Sequence, residues 1–131
     1  MQDRAGRGRR VFKTGWFSKA ARKAHITDMQ LCLAIGEVML GQADDLGGGV
    51  FKKRLGKNLY RSIIVAKGGG YWVYSYLSAK KARANIREDE LSGFRALASL
   101  YARKRDADIA MELKFKELVE KCHEDESQIQ E

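Results

Sequence analysis

The sequence predicts an α+β domain: an N-terminal helical hairpin packed on a mainly antiparallel β-sheet, followed by a C-terminal helix. Three observations predict it. Apolar residues recur at 3.6-residue spacing before residue 40 and again after residue 85. Between those segments lie runs of β-branched and aromatic residues with period-two alternation. The linkers joining the runs, Gly56-Lys57-Asn58-Leu59 and Lys67-Gly68-Gly69-Gly70, are short enough to force antiparallel neighbours.

Taken in order, residues 1–10 carry Met1 and Ala5 as their apolar side chains and are expected to form a disordered basic arm. Val11-Phe12-Lys13-Thr14 is a short strand. Trp16, Phe17, Ala20, Ala21 and Ala24 then share a helix face, with Lys19, Arg22 and Lys23 opposite. Thr27 and Gln30 form a capping box, each side chain covering the other's unpaired amide, and open a second helix with Leu31, Cys32, Ile35, Val38 and Met39 inward. Gly41 ends it, and Asp44-Asp45 with Gly47-Gly48-Gly49 break the chain before the sheet begins. Strands are expected over Val50–Leu55, Tyr60–Ala66 and Tyr71–Ser78. Asn85 with Glu88 reads as the next helix start, continued by Leu91, Phe94, Leu97, Ala98 and Tyr101. Asp106 or Asp108 caps a further helix, and 116–122 fits either its continuation or a short strand. The domain is thus placed at 11–123, with an acidic tail at 124–131.

Charge is distributed unevenly. The 131 residues carry a net charge of +8, and a polyanion is the default partner of such a surface. Between Leu46 and Arg87 there is no Asp or Glu against ten Lys and Arg residues, and the stretch coincides with the expected sheet. Apolar runs are far shorter than the ~20 residues needed to span a bilayer, and Met1–Arg10 lacks the apolar core of a signal peptide. A cytoplasmic protein with no membrane partner is therefore expected. Cys32 and Cys122 are read as small buried hydrophobes with reduced thiols. With no C-x-x-C or H-x-x-x-H pair, neither a metal nor another cofactor is expected.

Familiar catalytic kits are missing. Gly56-Lys57 lacks the upstream glycine and the following Ser or Thr of a phosphate-binding loop, so the glycine triplets read as hinges. His25 falls between helices and His123 in the acidic tail, away from any nucleophile. The cationic sheet remains. Lys52 and Arg54 project to one face, the next turn folds Arg61 back toward them, and Lys80, Lys81 and Arg83 leave the end of the third strand. Such a cluster holds a nucleic-acid phosphate, or it is a solvated charge run guarding a sheet edge. Trp72, Tyr74 and Tyr76 alternate, so all three are expected on one face, which packs under helices or stacks on bases.

The run from Gly47 to Leu55 (GGGVFKKRL), Gly56-Lys57, Tyr60-Arg61 before an apolar strand, and Ala79–Ile86 (AKKARANI) before a charged helix together resemble the RelE-like toxins of type II toxin–antitoxin systems. The opening Val11-Phe12-Lys13-Thr14-x-Trp16-Phe17 is similar to one branch of that RelE/ParE superfamily, which includes HigB-like mRNA endonucleases. The resemblance spans roughly residues 11–120. It implies a cofactor-free mRNA interferase that acts on mRNA in the ribosome, inhibits translation and is neutralised by an antitoxin, a small helix-turn-helix protein. On the matching positions, Lys52 corresponds to a family lysine that serves as base or phosphate ligand, and Arg54 to a second cation. Arg61 corresponds to the arginine of a Tyr-Arg motif, and Lys81 to a position that stabilises the transition state. Lys53, Lys57, Lys80, Arg83 and Arg87 are the RNA-binding residues expected around that set. The sequence departs from the pattern at Asn58-Leu59, at Ser78, and at Arg87, where some members carry a tyrosine; the acid for the leaving group is then unassigned. The alternatives are a ParE-like gyrase inhibitor and a non-catalytic nucleic-acid-binding module.

Overall fold

A computed structural model describes residues 9–68, 70–81 and 86–122. In chain order the elements are β1 (Arg10–Thr14), α1 (Gly15–Lys23), α2 (Asp28–Met39), β2 (Asp44–Gly47), β3 (Val50–Leu55), β4 (Tyr60–Lys67), β5 (Tyr71–Ala79), α3 (Glu88–Arg103), α4 (Asp106–Lys114) and β6 (Leu118–Lys121). The architecture is α+β, with four helices and a six-stranded sheet in the order β2-β3-β4-β5-β1-β6. Every neighbouring pair is antiparallel except β1 with β5. A strand, rather than the helical hairpin, opens the domain. β1 lies between β5 and the edge strand β6, and can lie parallel to β5 because two helices and three strands separate them in sequence.

Period two divides the sheet between two cores. Val11, Ile64 and Tyr74 face α1 and α2, where Phe17, Ala21, Leu31, Ile35 and Val38 meet them. Their sequence neighbours Phe12, Ile63, Val65 and Val73 face the other way, toward Ala98 and Tyr101 of α3 and Ile109 of α4. Tyr74 is fully buried beside Phe17, ring centroids 4.9 Å apart, and its hydroxyl donates to the Leu31 carbonyl at 2.7 Å. A buried phenol without that acceptor costs about 1–3 kcal/mol; with it, Tyr74 fastens α2 to the sheet.

Local chemistry fixes the helix starts. The Thr14 hydroxyl accepts from the Phe17 amide at 3.1 Å, so α1 begins where β1 ends, with no loop between. Thr27 and Gln30 form the capping box of α2, at 2.7 and 3.2 Å. For α3 the bond joins the Arg87 amide to Glu90 at 3.0 Å and the helix begins at Glu88. The Asn85 start expected from sequence lies outside the described residues.

Several expectations are corrected. The glycine triplet does not precede the sheet. Asp44–Gly47 is already a strand, and Gly48 and Gly49, at φ +65° and +83°, make the two-residue turn into β3. Positive φ at both turn positions is the geometry that matches the twist of a hairpin. Arg95 of α3 lies over this turn and donates to the Leu46 carbonyl. The segment left open after α4 is the strand β6, paired with β1. Arg10, assigned to the arm, sits in β1 and grips Glu120 with two 2.7 Å bonds. Those bonds raise the guanidinium's pKa further. Cys32 and Cys122 are joined in a disulfide, Cα atoms 5.4 Å apart, not left as thiols. Packing brings α2 and the end of β6 together, a proximity that 90 residues of separation hid from the sequence.

Candidate nucleic-acid interface

Helix α3 covers one end of its sheet face, where Val50, Val65 and Val73 are buried. Arg54 and Arg61 gather toward the other end. Arg54 and Arg61 are direct cross-strand partners, and Arg61 pairs in turn with Ser78. Two residues along, a second row runs Asp44, Lys52, Ile63, Tyr76 across β2, β3, β4 and β5. Alternation puts both rows on the same face.

Like charges directly opposite on neighbouring strands destabilise a sheet, and among the described residues no acid pairs with either arginine. Arg54 is exposed and has no ion pair among the described residues. Arg61 spends one nitrogen on the Asn58 carbonyl (3.3 Å), the Asn58 side chain (3.1 Å) and the Tyr60 carbonyl (3.4 Å). These aim the guanidinium without neutralising it. Gly56, Lys57 and Asn58, all at positive φ (59°, 56° and 71°), form the turn that supplies the two Asn58 acceptors and leaves Lys57 exposed. The Lys80 amide donates to the Leu59 carbonyl at 2.8 Å, so Lys80 and the exposed Lys81 leave β5 beside that turn.

Other expected residues are held elsewhere. Lys53 projects to the opposite face, where its ammonium meets Glu37 at 2.7 Å and the Gln42 carbonyl at 2.8 Å. Arg87 pairs with Asp89 at 3.2 Å in the first turn of α3, and its hydrogen bond holds that carboxyl below the usual range. Lys52 lies 3.6 Å from Asp44, which together with it lines a cleft of about 420 Å³ between residues 41–44 and β3. Arg83 lies outside the described residues.

Tyr76 is the residue that the alternation rule misplaced. Ile63 pairs with Tyr76, but Ile64 pairs with Tyr74, so Ser75 is an extra residue, a β-bulge. The bulge flips the pattern: Trp72 and Tyr74 pack toward α1 and α2, while Tyr76 faces the cations. There its ring stacks on Trp16 of α1, centroids 5.1 Å apart at 13°, and touches Phe94 of α3 at 5.8 Å. A lone serine between aromatics was the only sequence trace of it.

Among the described residues no group of three or more His, Cys, Asp or Glu side chains gathers as a metal site, and no helix is long and apolar enough to cross a membrane. The fold and this face define a class, a small α+β protein that, among its described residues, presents two arginines without ion pairs at one end of a mainly antiparallel sheet. The family model described as the RelE toxin of the RelE / RelB toxin-antitoxin system matches residues 9–121, and the chain belongs to that family. It is a toxin of a toxin–antitoxin system, with a cognate antitoxin as partner. No curated protein and no solved structure matches it significantly.

Proposed function

We propose that this toxin is a ribosome-dependent mRNA endonuclease that works without a metal, using the RNA's own 2′-hydroxyl as nucleophile. The observation that carries this reading is the Arg54–Arg61 pair, two cations in direct register with no carboxylate between them. A phosphate seated over them relieves their repulsion, and the charge that grows on its oxygens in the transition state strengthens both contacts.

The reaction needs one proton removed and one supplied. The 2′-oxygen loses its proton and bonds to phosphorus, the bond from phosphorus to the 5′-oxygen breaks, and that oxygen takes up a proton. The products are a 2′,3′-cyclic phosphate and a 5′-hydroxyl. No carboxylate lies between Leu46 and Arg87 in sequence, but β2 brings Asp44 to the end of the neighbouring row. Tyr76 stands at the other end, its hydroxyl free of protein hydrogen bonds among the described residues; those of Tyr71, Tyr74 and Tyr101 are engaged. Three strand spacings, ~14 Å between backbones, separate Asp44 from Tyr76, with Lys52 and Ile63 between them in the row. We assign Asp44, with Lys52 beside it, to accept the 2′-proton and Tyr76 to protonate the leaving oxygen. Arg54 and Arg61 hold the phosphate, and Lys57, Lys80 and Lys81 the chain around it.

The test is induction in bacteria with mapping of mRNA 5′ ends on translating ribosomes. Cuts clustered at the ribosomal A site and lost in Arg61→Gln support the assignment. Growth arrest with intact mRNA and altered DNA supercoiling transfers it to the gyrase-inhibiting class.

A further inference from the structure

Beside the cationic face lies a cleft the proposed reaction does not use. β1 pairs with β5 only as far as Lys13 with Tyr74. Past that point the chain turns into α1, and among the described residues the remaining half of β5 has no strand on that side. An unpaired strand edge offers free main-chain donors and acceptors. Between that edge and α1 is a cleft of about 460 Å³, lined by Trp16, Lys19, Lys23, Tyr60, Ser78 and Ala79 among others, with no acidic side chain in its wall.

We propose that this cleft binds one nucleotide of single-stranded RNA adjacent to the phosphate held by Arg61, an inference that rests on the endonuclease reading. Four features converge on a nucleotide. Trp16 is 54% exposed, and with one ring face set against Tyr76 its other face is open to a base; aromatic rings so placed stack any base. Lys19 and Lys23, four residues apart on α1, stand exposed one turn from each other to meet the flanking phosphate. The free edge of β5 at residues 77–79 meets the polar rim of the base. Ser78 joins the cleft to the site, since it lines one and is the direct neighbour of Arg61 in the other. An RNA strand is favoured over a protein segment as occupant because Lys19 and Lys23 are the charged side chains lining the cleft and both are cationic, beside the arginine pair of the neighbouring face.

The probe is an uncleavable 2′-O-methyl RNA decamer titrated into the full chain while tryptophan emission is read. The wild type quenches on binding. Trp16→Leu, which leaves Trp72 as the only tryptophan, loses the quench and binds roughly tenfold more weakly, in line with the loss of one stacked base. Lys19→Gln with Lys23→Gln, both at exposed positions, retains the fold and flattens the slope of log affinity against log salt by about 1.4, the value for two lost contacts to a single strand. Unchanged affinity and salt slope in that double variant, together with an unchanged affinity in a folded Trp16→Leu, overturn the proposal. So does quenching of Trp16 by the antitoxin with none by RNA, which gives the cleft to a protein. A wild type that quenches with RNA but cuts no mRNA on ribosomes retains the subsite and removes the nuclease; one that cuts while both variants cut and bind normally removes the subsite alone.

Discussion

Replacing Arg54 by glutamine is predicted to stabilise the protein while weakening RNA binding. Arg54 faces Arg61 across β3 and β4 and has no ion pair among the described residues, so its charge is opposed and unrelieved in the free protein. Two unit charges ~6 Å apart at the dielectric of water repel by about 0.7 kcal/mol, and like-charged cross-strand pairs fall in the same range of about 0.2–1 kcal/mol. Unfolding entropy near 2.1 cal/mol/K per residue, over 131 residues, converts 0.5–1 kcal/mol into a rise in melting temperature of about 2–4 °C. The effect is Coulombic between solvated groups, so it fades at 1 M salt, where the screening length is about 3 Å. Thermal melts of wild type and Arg54→Gln at 20 mM and 1 M NaCl measure the stability, and a filter-binding titration with single-stranded RNA measures the affinity, which falls roughly tenfold for a lost charge-assisted contact. A variant that melts lower than wild type at low salt, or a gain that survives 1 M salt, refutes the reasoning.

Opening the Cys32–Cys122 disulfide, by reductant or by Cys32→Ser, is predicted to lower the urea midpoint by roughly 1–2 M, because a disulfide is typically worth about 2–4 kcal/mol. Two titratable thiols in the unreduced native protein contradict it. Partial burial pushes the Asp28 carboxyl up, but the hydrogen bond and charge of Lys13, with Lys121 beside it, outweigh that and hold it below the usual value. A depressed carboxyl stabilises the fold above the unfolded pKa of about 4, and the contribution disappears as pH falls through the folded value. Asp28→Asn is therefore less stable than wild type at pH 6, by under ~1 kcal/mol given its exposure, and equal to it near pH 2; a constant difference across that range rejects the assignment. Tyr76→Phe retains RNA affinity but loses about 10²-fold or more in cleavage rate, the scale of general acid catalysis; cleavage at the wild-type rate removes Tyr76 from that role.

How much of this was legible in the sequence follows from the range over which each signal acts. The meander β3-β4-β5 was readable because alternation and four-residue linkers are local, and the same alternation put Lys52 and Arg54 on one face. β2 was hidden: Asp44, Asp45 and Gly47 have poor strand propensity, and the strand exists because the Gly48-Gly49 turn returns it to β3. That omission also hid Asp44 from the site. Tyr76 was lost to one inserted residue, since a bulge inverts every later side chain and a single serine is a weak sign of one. The partners of Lys53 and Cys32 depend on how α2 packs, which no local pattern encodes. What remained readable was sign: an acid-free stretch along a sheet needs acids from elsewhere, as Lys53 finds Glu37 and Lys52 finds Asp44, and Arg54 and Arg61 are left without an ion pair among the described residues.

In the proposed mechanism, cations hold the phosphate while the RNA supplies its own nucleophile. Purified ribosomes programmed with an mRNA carrying a single 2′-deoxynucleotide on the 5′ side of the scissile phosphate test it most directly. The all-ribose message is predicted to be cut in the A site to a 2′,3′-cyclic phosphate and a 5′-hydroxyl, and the deoxy-substituted message to remain whole at that bond. Cleavage of the deoxy message at the same bond, or a 5′-phosphate on the downstream fragment, contradicts it.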